Sequence, residues 1–501
     1  MQSTDKYLIM LLLIISSCST QEHVTPHTFT RLQNVPIVTD RASTGGASWI
    51  DIDNDGDLDL AITNGYDVTN PNGAIPQTNR LYRNSGDGTF EEIVDSPFAT
   101  KEGFSSGSTW GDYDNDGDPD VFISNQRGQN NFLFKNMGNG QLFISEDSSA
   151  TMDGGSSFGA AWVDIDLDGW IDLYVGNGGL SAREPDFLFK NNGDGTFTRI
   201  LASPIATDSL ATTGGIWNDF DNDGDPDLFV PNRGGNDALY LNKGNWEFTK
   251  VEDFSLTREM NLFTSQGASS GDFDSDGDID IYIAKPFGGN NILLVNDGSA
   301  NFSPLEHDPI VTQSGYTSSA LSSDFDNDGD LDVIASTWGG ALEYYENLGG
   351  LKFRRTFPGE LGENIIYSSS IAAGDYDNDG DQDVYIGNWP NYPGEPEENH
   401  LYINQIQKGN WIKIRLEGTE SNRSAIGARI LLTSDINGQT TTQLREVSGS
   451  QNWRSQSGLV QHFGLANGRI IDKIVVEWPS GARSELENIS INEVLFIKEE
   501  S

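Results

Sequence analysis

The pattern Asp-x-Asp-x-Asp-Gly-x-x-Asp occurs seven times in this chain, starting at Asp51, Asp112, Asp164, Asp219, Asp272, Asp324 and Asp375. Successive starts lie 61, 52, 55, 53, 52 and 51 residues apart, a period that suits one four-stranded propeller blade per copy rather than a helical repeat. Strand-like runs such as LDLAITN, IDLYVGN and QDVYIGN follow the pattern, so each copy reads as a hairpin loop. Seven copies predict an all-β fold with a seven-bladed β-propeller.

The residue types say what the loops hold. Calcium is a hard cation that takes roughly 6–8 oxygen ligands, and alternate carboxylates on a tight loop converge on one point, with glycine allowing the sharp turn. Side-chain ligands are expected at positions 1, 3, 5 and 9 of each copy. These are Asp51, Asp53, Asp55 and Asp59; Asp112, Asp114, Asp116 and Asp120; Asp164, Asp166, Asp168 and Asp172; and Asp219, Asp221, Asp223 and Asp227. The last three copies supply Asp272, Asp274, Asp276 and Asp280; Asp324, Asp326, Asp328 and Asp332; and Asp375, Asp377, Asp379 and Asp383. Position 7 is expected to bind through its backbone carbonyl. Asp57, Asp118, Asp225, Asp278, Asp330 and Asp381 stand there, and the third copy has Trp170, whose side chain cannot be a ligand. The plainer reading, of acidic turns that are simply solvated, leaves the crowded like charges of seven registered copies without a cation to offset them. About seven structural Ca²⁺ ions are the expected cofactor.

The rest of each blade repeats too. Small-residue segments (GGASW, SSGSTW, SFGAAW) precede the loops, as expected where strands crowd an axis. A third strand reads Asn-x-Leu-Tyr-x-Asn at Asn79 to Asn84 and Asn399 to Asn404, and a fourth begins Gly-x-x-Phe, centred on Phe90, Phe143, Phe197, Phe248, Phe302 and Phe353. That is six fourth strands for seven blades. The seventh is expected at the N-terminus, where His27-Thr-Phe29-Thr-Arg31-Leu repeats Gly195-Thr-Phe197-Thr-Arg199-Ile and would close the last blade.

Before that strand, Leu8 to Ile15 form a short apolar core, and Ile15-Ser-Ser-Cys18 resembles the bacterial lipobox cleaved before cysteine. The expected division is a lipoprotein signal peptide at 1–17, a tether at 18–26 lipidated on Cys18, the propeller at 27–408 and a C-terminal β-sandwich at 409–501. An ordinary signal peptide with an incidental thiol is the alternative. Lipidation would place the protein in the bacterial cell envelope, with the outer membrane expected from Ser19. The chain carries a net charge of −46, and 34 of its 76 acidic residues lie in the seven loops. Seven divalent ions would still leave it strongly acidic, which disfavours nucleic acid or a bare anionic membrane as a partner.

Residues 27 to about 408 resemble the FG-GAP or VCBS repeats of integrin-α-type propellers. The C-terminal segment resembles the ASPIC/UnbV domain through Ser421-Asn-Arg423-Ser-Ala-Ile-Gly427-Ala-Arg429, Ser455-Gln456, His462-Phe-Gly464-Leu and Trp478-Pro-Ser-Gly481. The combination resembles bacterial relatives of the cartilage acidic protein family, which implies extracellular interaction roles and no established reaction. Read by itself, the segment is still β, with WIKIRLEG, ARILLTS, TTTQLREV, KIVVEWP and VLFIKE between turns. Arg423, Arg429, Arg454 and His462 read as turn and inter-domain residues, with a polar site as the alternative.

Loops joining strands two and three emerge opposite the acidic loops. They carry Tyr66, Arg127, Arg233, Lys285, Phe287, Trp338, Trp389 and Tyr392, residue types suited to a partner platform for protein or glycan. Packing of these rings between blades is the competing reading. The functional expectation is a calcium-stabilised, lipid-anchored binding or scaffold protein recognising an envelope or extracellular protein or a glycan. The alternative is a polysaccharide lyase or dehydratase on a calcium-containing propeller. Five histidines without a paired motif, and the lack of a Gly-x-Ser-x-Gly elbow, phosphate loop or catalytic thiol, weigh against the enzyme.

Overall fold

The computed structural model describes residues 28–500 apart from 68–73, 147, 153, 180–181, 253, 255–264, 287–288, 314, 391–396, 406–408 and 450–451. The signal peptide, the tether with Cys18, Phe287 and Tyr392 lie outside these residues. Seven antiparallel four-stranded units form the propeller. Blade one runs Thr44–Ile50, Asp59–Asn64, Arg80–Asn84 and Phe90–Glu92, and the acidic loop joins its first two strands. Blades two to six repeat this order.

Blade seven takes its first three strands from Ile366–Gly374, Asp383–Asn388 and His400–Asn404. Its fourth is the N-terminal strand Phe29–Leu32, which pairs with the third in the register Phe29↔Asn404 to Leu32↔Leu401. Phe29 is fully buried between Phe325 and Tyr344, so closure adds apolar burial as well as hydrogen bonds. Blades six and seven are also joined directly, because Asp332–Gly340 runs on past its hairpin and pairs Trp338↔Tyr367 and Gly340↔Ile366.

Side chains from each third strand tie the blades into a ring. The asparagine ending that strand (Asn84, Asn136, Asn191, Asn242, Asn296, Asn347, Asn404) donates its amide to a backbone carbonyl at loop position 2 of the preceding blade. For Asn84 the acceptor is Tyr376, which carries the cycle from blade one back to blade seven. Apolar packing does the rest. Trp49, Trp110, Trp162 and Trp217 fill the wedges of blades one to four, whereas Ser270, Ser322 and Ala373 hold that place in blades five to seven. Four single-turn helices, Pro36–Thr39, Pro97–Thr100, Pro204–Thr207 and Pro309–Thr312, begin on the proline favoured in a first turn, and Ser96, Ser203 and Asp308 cap three of them.

The C-terminal domain has two sheets. Asn410–Glu417 lies between Gln461–Ala466 and Val494–Lys498, and Arg429–Ile436 lies between Gln439–Glu446 and Ile471–Glu477, which carries Arg483–Ile489 at its edge. Ile412, Ile414, Phe463, Ile430, Leu432, Ile474 and Val476 fill the space between them. The domain covers the acidic-loop end of the propeller and sends residues 452–458 into its axis. There Gln456 exchanges backbone hydrogen bonds with Ala47 and Trp49 while its side-chain amide spans the backbone N–H and carbonyl of Trp110. Ser455 and Ser457 accept from the backbone N–H of Ala47 and Ala373, and Asn452 donates to the carbonyl of Ile371. Inner strands of a propeller present unpaired backbone groups to the axis, and this segment satisfies part of that requirement. Gly46 and Gly107 are needed here, because a Cβ on either would collide with the Arg454 backbone.

Candidate functional site: seven acidic loops

One hydrogen-bond scheme shapes each loop. In the first, Asp51 accepts from the backbone N–H of Asp55 and Gly56, and Asp55 accepts from that of Asp57. Asp59 accepts from the backbone N–H of Ile52 at 3.0 Å and of Asn84 at 2.8 Å, which locks the loop to the third strand. Position 4 is left-handed in all seven copies, at Asn54, Asn115, Leu167, Asn222, Ser275, Asn327 and Asn378. Among residues with a side chain, asparagine is one of the few that tolerate that conformation well. It also bridges loops: Asn54, Asn222, Asn327 and Asn378 donate to the position-7 carboxylates Asp118, Asp278, Asp381 and Asp57 of the neighbouring copy. These position-7 side chains therefore face a neighbour rather than their own loop. The third copy, with Leu167 and Trp170, has neither the asparagine nor the carboxylate, and Asn115 donates instead to the carbonyl of Gly169.

Carboxylate oxygens converge at each loop. Single oxygens of Asp112, Asp114 and Asp120, of Asp164, Asp166 and Asp172, and of Asp219, Asp221 and Asp227 lie within 4.8 Å of one another, as do those of Asp51, Asp53 and Asp55 and of Asp272, Asp274 and Asp276. One atom tests whether a cation fits. The Oδ1 of position 3 is buried and without a hydrogen-bond donor at Asp53, Asp114, Asp166, Asp221, Asp274 and Asp377, six of the seven copies. A buried anionic oxygen with no donor is costly, and one recurring at the same loop position is the signature of a ligand atom.

Burial, reinforced by neighbouring carboxylates, raises the most enclosed of the loop acids. Asp59, Asp112, Asp164 and Asp272 are pushed up to about 7 and Asp227 and Asp280 to about 8. Asp120, Asp172, Asp332 and Asp383 go well above the ordinary carboxylate range for the same reasons. Such groups carry full charge comfortably only beside a cation.

Bases supply part of that positive charge from two sides. At the rim, Arg83 pairs with Asp53 at 2.8 Å, Lys135 with Asp114 and Asp116, Lys190 with Asp166 and Asp168, and Lys243 with Asp221 at 2.8 Å. From the C-terminal domain, Arg415 reaches Asp51 at 3.1 Å, Arg429 reaches Asp219 at 3.5 Å and Lys413 reaches Asp375 at 2.7 Å. The backbone N–H of Gly464 donates to Asp324, Ser424 accepts from that of Asp112, and Arg445 sets its charge beside Asp272 and Asp324. A cavity of about 480 Å³ lies between this domain and the propeller, where blades five to seven carry Ser270, Ser322 and Ala373 in place of tryptophan.

The four C-terminal residues singled out from sequence do not converge. Arg423 pairs with Glu417 at 3.1 Å, Arg429 with the fourth loop, and His462 meets Asn327 at 2.7 Å. Arg454 stacks on Trp453 and Phe158 in the axis. The inter-blade role of the seven asparagines had only a recurrence signal in the sequence, and the axial role of Ser455 and Gln456 had no periodic signal at all.

The expected platform residues spread over the opposite face. Lys285 is buried, Arg233 is half-buried with burial lowering its pKa to about 10, and Trp389 rests against Gly65. Tyr66 contributes backbone to the short strand Tyr66–Asp67, and Arg127 is exposed over the Phe104 ring. Trp338 is exposed, in company with Tyr316 and Phe357.

The repeat geometry has a known counterpart. The FG-GAP-like repeat family matches residues 51–123, 112–175, 164–230, 219–283, 272–335 and 324–386, segments that each begin on one acidic loop and together include all seven. The chain belongs to the FG-GAP-like repeat family. The C-terminal part of this FG-GAP chain, residues 418–501, matches the ASPIC and UnbV family. Cartilage acidic protein 1 of Mus musculus is 23% identical over 499 residues, covering 91% of this chain and 74% of that protein. The Homo sapiens protein is 23% identical over 408 residues, covering 74% of this chain and 51%, about half, of that protein. Among solved structures, a lectin from Burkholderia pseudomallei aligns with 12% identity and a TM-score of 0.47, covering 73% of this chain and 96% of the lectin.

Proposed function

We propose that this protein is a calcium-stabilised, lipid-anchored binding or scaffold protein of the bacterial cell envelope. It would present the propeller face opposite the acidic loops to a protein partner or a glycan. The observation that carries the calcium assignment is the donor-less buried oxygen at position 3, repeated in six loops. Positions 1, 3, 5 and 9 would hold each ion by side chains and position 7 by its carbonyl, and Ca²⁺ would supply the charge that lets these carboxylates stay ionised when buried. The position-9 aspartates, bonded to the ring-closing asparagines, link each ion to blade packing.

The arrangement of the two domains supports a binding role for the far face. The C-terminal domain covers the loop end and residues 452–458 occupy the axis, so the exposed face available to a large ligand is the opposite one. The anchor rests on the lipobox-like Ile15-Ser-Ser-Cys18, and among the described residues no helix is long and apolar enough to cross a membrane. The matched relatives named cartilage acidic protein are in keeping with an interaction role. The test is to recover the tagged lipoprotein from detergent-solubilised envelope with Ca²⁺ and with chelator. A stoichiometric protein present only with Ca²⁺ is the expected result; ultraviolet absorbance from new unsaturated ends on incubation with an acidic polysaccharide would replace this reading with that of a lyase.

A further inference from the structure

On the far face a cleft of about 450 Å³ lies at the seam of blades six and seven. We propose that it binds a neutral sugar residue at the end or within the chain of a glycan, an inference that rests on the binding-protein reading and specifies its ligand. Five aromatic side chains are exposed among the described residues, and three of them, Tyr316, Trp338 and Phe357, line this cleft. Each is 40% or more exposed, at 55%, 40% and 51%. Exposed rings so grouped mark a ligand site rather than chance surface.

The walls are held in place before any ligand arrives. Trp338 stands edge to face with Tyr367 at 5.7 Å and 85°, and its backbone N–H donates to the carbonyl of Tyr316. Preorganised rings lose little freedom on binding. The carbon-bound hydrogens on one face of a pyranose are weakly positive and lie flat, which suits the negative face of an aromatic ring. Polar contacts come from Arg355, 2.6 Å from Glu343 and 5.2 Å from the Phe357 ring centroid. Glu343 is buried and accepts from both Arg355 and Tyr345, which holds the partly exposed guanidinium at the edge of the aromatic wall, where its remaining N–H donors face hydroxyl groups.

Two features select among ligands. The Arg355 charge is already matched by Glu343, and the protein as a whole carries −46, so a uronate or sulfated sugar would meet net repulsion. A peptide adding as a β-strand would need an open edge, but the strand at this seam is already paired through Trp338↔Tyr367 and Gly340↔Ile366. The volume also suits one small ligand residue better than an extended interface.

The test is to titrate the calcium-loaded full chain with cello-, manno- and chito-oligosaccharides and with polygalacturonate, reading tryptophan fluorescence and calorimetric heat. Saturable binding of a neutral oligosaccharide is expected, weakened at least about tenfold by Trp338→Ala and by Phe357→Ala. Phe143→Ala, an exposed ring outside the cleft, should change neither affinity nor melting temperature. Failure of all three neutral series to bind, tighter binding of polygalacturonate, or full affinity in both cleft variants would overturn the proposal. If no sugar binds while wild type and Trp338→Ala recover the same envelope protein, the cleft assignment falls and the binding-protein reading stands.

Discussion

At the residue scale, the loops differ more than their common pattern implies. Blades one to four bring Arg83, Lys135, Lys190 or Lys243 onto the carboxylates of their own loop, whereas blades five and seven carry Val295 and Ile403 before the ring-closing asparagine. A fixed positive charge beside a cation site weakens it through simple repulsion. Lys243→Met should therefore tighten one calcium equivalent several-fold in a competition titration with a chromophoric chelator, and an unchanged isotherm would contradict this account. Buried histidines give a second expectation. Burial chiefly, with Arg31 beside His400 and with Arg445 and Lys413 beside His462, lowers both groups to about 3. Their ordinary value is about 6.5, so between 6.5 and 3 the unfolded chain binds more protons, and the stability present above 6.5 is lost as pH falls through that window. At saturating Ca²⁺ the melting temperature should drop from pH 7 to pH 5, and less steeply in His462→Gln.

At the element scale, the ring is held by parts that are far apart in the chain. The strand Phe29–Leu32 gives blade seven its fourth strand and buries Phe29 completely. Deleting residues 27–32 should lower the melting temperature sharply, because it exposes a blade edge and empties the site of a large aromatic, a loss of about 3–5 kcal/mol for the ring alone. An unchanged melt would rule out this closure. This strand was legible beforehand because Phe29-Thr-Arg31-Leu repeats Phe197-Thr-Arg199-Ile. The axial segment was not. Asn452 to Ser457 is polar and without period, and its backbone partners, Ala47, Trp49, Trp110 and Ala373, lie in three blades remote from it in sequence. Gln456→Ala removes the amide that spans Trp110 and leaves that backbone pair buried without partners, at a cost of about 1–3 kcal/mol, measurable by chemical denaturation.

At the scale of the whole molecule, the acidic end of the propeller and the C-terminal domain are complementary in charge. Lys413, Arg415, Arg429 and Arg445 face the first aspartates of the loops. The loops thus hold the ring and seat the second domain at once. Chelation should lower the melting temperature and increase protease sensitivity of the segment around residues 405–410, both restored by Ca²⁺; indifference to chelator would contradict the metal assignment. The seven-fold architecture, the identity of the loop acids and the N-terminal closure were determined by the sequence alone, because each is a local pattern repeated in register, and repetition makes weak local signals add. Which end the second domain covers, what fills the axis and which aromatic rings remain exposed were decided only in the tertiary structure. Those outcomes depend on charge and shape matching between surfaces that no local pattern joins.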